Sequence, residues 1–151
     1  MATLTLPTQG GDSGTWGTEL NTYIKGSGAT HLSETALDVT STGQTTIYTV
    51  PTGYRLVIDK IIIIAGATAS PTAKVSFGKQ GSATDFVVAQ TLENLAAQYD
   101  CVQIMPVPHA TIPVKTKSYA AASVIEADVT DADADGGEDN RVILFGTLLS
   151  A

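Results

Sequence analysis

The sequence holds one cysteine, two histidines, one tryptophan and only eight Lys plus Arg among 151 residues, and each scarcity excludes something. A lone thiol cannot close an intramolecular disulfide, so Cys101 gives no sign of an oxidising compartment. It sits in a strand-like run with Val102 and Ile104. A buried, inert thiol is expected there, because a reactive thiolate needs an accessible, electropositive setting. His31 and His109 fall in no zinc-binding spacing such as HExxH. The longest apolar run, residues 61 to 66, is far short of the roughly 20 residues that a membrane-spanning helix requires. The first residues lack the basic and apolar segments of a secretory signal. No membrane partner is expected, and the chain is expected to be made and used in the cytoplasm.

The shortage of bases has a further consequence. The formal net charge is −7. Seven of the fifteen acids, Glu126, Asp128, Asp131, Asp133, Asp135, Glu138 and Asp139, lie in one stretch without Lys or Arg, while the remainder of the chain is balanced. Nucleic-acid affinity comes mostly from Lys and Arg on phosphates, so DNA and RNA are excluded as direct partners. Neither a GxxxxGK[ST] loop nor a GxGxxG turn is present, and no cofactor is expected. Aromatic residues make up 6% of the chain, too few to supply an evident carbohydrate platform.

Two strings look chemical at first sight. Gly11-Asp12-Ser13-Gly14 matches the surroundings of a serine-protease nucleophile, but no histidine precedes it to act as base, and the match is coincidental. Asp131-Ala132-Asp133-Ala134-Asp135-Gly136 reproduces the start of an EF-hand loop. The closing bidentate glutamate is replaced by Val142 inside an apolar strand, which leaves two alternatives: a solvated hairpin loop or a weak calcium site. No pair of carboxylates is singled out by spacing, and no catalytic or metal-binding residue is assigned.

What is present is a β pattern. At this length one domain is expected, able to bury about two-thirds of its unfolded surface. Eight short strands bounded by turn residues are read at 45–50, 54–65, 72–78, 85–90, 101–105, 110–116, 119–129 and 140–149. Alternation places Tyr54, Leu56 and Ile58 against Arg55 and Asp59, and Ala73, Val75 and Phe77 against Lys74 and Ser76, so one face of each sheet is wet. Residues 91–99 fit either a short helix, with Leu92, Leu95 and Ala96 on one face, or a loop. Residues 27–44 are small and polar, so the domain is drawn as 45–151, with 1–44 an extended arm and linker. The expected fold is all-β, an antiparallel β-sandwich of jelly-roll type carrying that arm. Ile61, Ile62, Ile63 and Ile64 break the alternation. They form either a central strand or a strand whose outer face meets another subunit.

The arm follows neither the period of 2 nor that of 3.6. Gly10, Gly11, Gly14 and Gly17 interrupt both, and one large side chain, Trp16, remains. An indole buries on the order of 200 Å² and such residues dominate interface energetics. Glycines at 14 and 17 allow close backbone approach, so docking on a partner is expected rather than packing on its own domain.

The order Gly11-Asp12-Ser13-Gly14-Thr15-Trp16-Gly17, followed by Leu20-Asn21, resembles a motif near the N-termini of tailed-bacteriophage virion proteins. The runs 45–64 and 142–149 are similar to the opening and final strands of small β-sandwich domains in phage capsid-decorating and fibre-associated proteins. The resemblance implies a non-enzymatic structural protein of the virion. Its leading form is a capsid decoration or cement protein, a homotrimer on the shell, docked to the major capsid protein or other virion subunits through Gly14, Trp16, Gly17 and Leu20. The alternatives are a head- or tail-fibre attachment protein and a receptor-binding module on the same fold.

Overall fold

The computed structural model describes residues 30–106, 111 and 117–151. Nine strands are found there: β1 (Thr30–Leu37), β2 (Gly43–Thr49), β3 (Tyr54–Ile64), β4 (Lys74–Lys79), β5 (Ser82–Thr91), β6 (Cys101–Ile104), β7 (Ser118–Tyr119), β8 (Val124–Asp131) and β9 (Asn140–Ser150). They form two antiparallel sheets. One is ordered β1-β9-β3-β6, with β7 also on β3, and the other β2-β8-β4-β5. The chain passes from one sheet to the other at each of its first three connections. The last two strands, β8 and β9, slot between earlier ones, which is the winding of a jelly roll. β6 pairs with Ile61–Ile64 and β7 with Leu56–Val57, so these two pieces together occupy one strand position along β3.

The core lies between the sheets and follows from alternation, with one adjustment. In β3, Leu56 and Ile58 face inward, and so do Ile61 and Ile63. A strict period of 2 would have turned Lys60 and Ile62 inward instead. The register shifts between Ile58 and Lys60, and this bulge at Asp59 flips the phase. In β9, Val142 and Leu144 point inward, followed by Gly146. A Cβ at Gly146 would lie 2.7 Å from the Val57 carbonyl oxygen and 2.8 Å from Leu56 Cδ1, so only glycine lets these strands close.

Several expectations are corrected. Residues 30–44 are not a linker: Thr30–Leu37 pairs with β9 along its whole length, and the expected boundary at Thr45 falls inside β2. β1 is an edge strand whose inward positions are only half-buried until Leu37, which hides its pattern in the sequence. Leu37 and Val39 are fully buried. Of the two readings of 91–99, the loop is the one observed, with turns over residues 92–100. Leu92 and Leu95 enter the core from a loop held by Asp100, whose carboxylate accepts from Ala96 and Ala97 N–H. The expected strand 119–129 is two strands in different sheets, broken by the turn that Ala122 makes with φ +62°. Most of the strand expected at 110–116 lies outside the described residues. Ser76 and Glu126, on the outward face of the second sheet, are almost wholly buried, so that face is not uniformly wet.

Candidate interaction surface

Two surfaces are built by this frame, and the ends of the sandwich differ in charge. The outer face of the first sheet is read from cross-strand partners. Ile62 lies opposite Ile143, Ile64 opposite Arg141, and Lys60 opposite Phe145. Across β9, Glu34 pairs with Ile143 and His31 with Phe145. Ile61 and Ile63, two of the four residues expected at a subunit interface, therefore belong to the core and are fully buried. Ile62, Ile64, Ile143 and Phe145 make a half-exposed apolar strip. Charged groups border it. Arg141 donates to Glu34 in an ion pair, and Lys60 Nζ sits 4.7 Å from the Phe145 ring centroid, a cation–π contact. The His31 ring lies 5.8 Å from the same centroid.

Beside the strip lies an open groove of about 470 Å³, lined by Ile64, Ile143, Tyr99, Glu34, Asp139 and Arg141 among others. Tyr99 is 74% exposed and holds φ +68°. That left-handed conformation costs roughly 1–2 kcal/mol for a residue with a Cβ. It is fixed because Tyr99 N–H donates to Ala65 O, while the next residue, Asp100, donates from its own N–H to Ala97 O. Cys101 is exposed on this face, contrary to the expectation of a buried thiol, because Val102 and Ile104 take the inward positions of β6.

The acidic stretch is not merely a solvated hairpin. Asp133 is largely buried; its Oδ2 accepts Thr72 N–H at 3.1 Å and its Oδ1 accepts Asp135 N–H. Hydrogen bonds from Thr72 hold its carboxyl below the ordinary value. Asp139 accepts Ala67 N–H with both oxygens. Asn140, fully buried, donates to Gly137 O at 2.7 Å and to Ser70 Oγ, and accepts Gly66 N–H. These side chains tie residues 133–140 to the 66–72 loop. The three aspartates of the EF-hand-like start are thus separated: Asp133 is turned to the 66–72 loop, Asp131 is paired to Lys74, and Asp135 is exposed. Among the described residues no group of three or more His, Cys, Asp and Glu is placed to hold a metal ion, and no helix is long and apolar enough to cross a membrane.

The strand registers put this acidic loop at one end of the sandwich. Leu37 pairs with Asn140 there, whereas Thr30 pairs with Gly146 toward the opposite end. Glu34, Asp38 and Asp100 share the loop's end, offset by Lys74 and Arg141. The other end carries Arg55, Lys79 and Lys117, the last paired to Asp85. It also holds a cavity of about 280 Å³ lined by Thr30, Leu32, Pro51, Tyr54, Thr147 and Leu148, none of them charged. The expected docking residues Gly14, Trp16, Gly17 and Leu20 lie outside the described residues. His109 and the Gly11–Gly14 string lie outside them too. Sequence inspection missed the cavity, because its wall comes from β1, from the turn before β3 and from the end of β9. Those segments have no common period.

The chain matches no family model and no curated protein. Its fold is similar to that of solved chains. One belongs to the acidic stable capsid structure of Helicobacter pylori bacteriophage KHP30, with TM-score 0.52 and 15% identity over 82% of this chain and 94% of that one. Another belongs to the capsid asymmetric unit of cyanophage Pam1, with TM-score 0.50 and 18% identity over 80% of this chain and 86% of that one. At these identities the likeness is one of fold, and it spans most of all three chains.

Proposed function

We propose that this chain is a non-enzymatic structural protein of a tailed-phage virion, and specifically a decoration protein that binds the assembled shell. The observation that carries the reading is the jelly-roll likeness, over most of both chains, to components of two phage capsids. The N-terminal Gly14, Trp16, Gly17 and Leu20 motif agrees with it independently. A protein that binds only the assembled lattice stabilises it by mass action, and a homotrimer would raise the effective concentration of each further shell contact. The apolar strip of Ile62, Ile64, Ile143 and Phe145 is the face on which copies meet.

The charge polarity supports an orientation. The end with Thr30, where the arm joins, carries Arg55, Lys79 and Lys117 and the cavity whose described lining is uncharged, and faces the major capsid protein. The acidic loop points outward, about 20–25 Å away along β9, and keeps the particle surface negative and soluble. Cosedimentation of the purified chain tests this reading. It should pellet with assembled shells and stay in the supernatant with unassembled capsid subunits. Equal binding to both, or to neither, would contradict it.

A further inference from the structure

The cavity at the arm end has the features of a socket. Leu32 and Leu148 are partly buried and packed on the core, so its floor is fixed. Tyr54, 40% exposed, stands at its rim. Gly146, beside it on β9, has no Cβ, and Leu32 Cδ1 and Leu56 Cδ1 occupy the space that one would need. Among the described residues its wall is apolar with two threonines, and none of those residues is charged. Such a lining fits a large apolar side chain carrying at most one polar hydrogen.

Thr30 both lines this cavity and is the residue at which the arm joins the sandwich. The arm contains the chain's only tryptophan, Trp16, and four residues further on Leu20. Trp16 lies fourteen positions before Thr30, a span of up to about 45–50 Å when extended, longer than the sandwich strands. We infer that the cavity receives the Trp16–Leu20 segment of a second copy of this chain. Each copy then offers a socket next to the exit of its own arm, so that arms passed to neighbours close a ring. A return of Trp16 to its own socket would instead close a loop that starts and ends at the same place. The net charge of −7 does not oppose the contact, since the acidic loop lies at the far end and none of the described residues lining the socket is charged. This inference rests on the virion reading only in making the arm a docking element; it names the partner that the arm engages.

Because Trp16 is the sole tryptophan, its fluorescence reports the socket directly in the full-length chain. At concentrations where the chain is oligomeric, emission should be blue-shifted, and it should move to that of a solvated indole on dilution to monomers. Tyr54→Arg and, independently, Leu148→Arg should produce the solvated spectrum without dilution; the first keeps the test alive if the second fails to fold. In a Cys101→Ser background, Trp16→Cys with Tyr54→Cys should cross-link between chains and give a ladder of dimers and higher species under oxidation. A cross-linked monomer, which migrates faster than the reduced chain, would overturn the assignment to a second copy. A solvated spectrum at every concentration, with no cross-link, would overturn the socket altogether. None of these readouts involves particles, so their failure is distinct from a failure to bind shells.

Discussion

The Tyr119 hydroxyl donates a 2.8 Å hydrogen bond to Asp85 Oδ1 and thereby joins β7 of one sheet to β5 of the other. Lys117 Nζ approaches the second carboxylate oxygen at 2.6 Å, and Lys79 N–H donates at 3.1 Å. Burial raises the Asp85 carboxyl, but the hydrogen bonds from Lys117, Tyr119 and Lys79 outweigh it and leave the group below its ordinary value. The same burial, together with the Asp85 charge, pushes the Tyr119 hydroxyl upward, so it stays a donor.

A depressed carboxylate stabilises the fold above the unfolded value, about 3.9, and loses that contribution as pH falls through the folded value. Tyr119→Phe should therefore lower stability by about 1.5 kcal/mol at neutral pH, the scale of a hydrogen bond to a charged group. The difference should shrink as Asp85 protonates. Thermal melts of both proteins at pH 7 and pH 3 check this, and an equal deficit at the two pH values would count against the latch.

Asn140 bridges the 133–140 and 66–72 loops from a fully buried position. Asn140→Ala strands Gly137 O and Gly66 N–H together and should cost about 2–3 kcal/mol, whereas exposed Asp135→Asn should change stability by less than about 0.5 kcal/mol. Urea titration of the two variants separates them. Near-equal midpoints would show that the acidic loop is after all a loose hairpin.

Gly146→Ala should destabilise by about 2 kcal/mol, within the range for overpacking, because the nearest obstacle to the new Cβ is backbone, the Val57 carbonyl. Differential scanning calorimetry measures it. A neutral effect would mean that β3 and β9 can part without penalty.

Ile62→Lys and Ile63→Lys form a paired test of the outer face. Ile63 is fully buried, and a lysine there should prevent folding, while half-exposed Ile62 should tolerate the change in the monomer and lose association. Analytical ultracentrifugation of the wild type and Ile62→Lys reads the outcome. A monomeric wild type at high micromolar concentration would remove this face as an interface.

Much of the fold was legible where alternation was strong. In β4, Val75 and Phe77, with Ala73 just before the strand, announce the inward face, and the core of β9 follows from Val142 and Leu144. β1 was not legible. Its inward positions include Ser33 and Thr35, which an edge strand tolerates because it buries little, and which give the stretch the small, polar composition of a linker. The bulge at Asp59 was equally hidden, since nothing local distinguishes it from continued alternation, yet it decides which isoleucines reach the core. The loop staples were missed because Asp133 and Asn140 find their partners about 60 to 75 residues away in sequence. Only the topology brings those segments together.

Quantitative mass spectrometry of purified virions, counting this chain against the major capsid protein, tests the central claim most directly. A decoration protein on the shell should be present in hundreds of copies per particle, in a fixed ratio to the capsid subunit. A dozen or so copies would place the chain on a fibre instead, and its absence from particles would contradict a virion role.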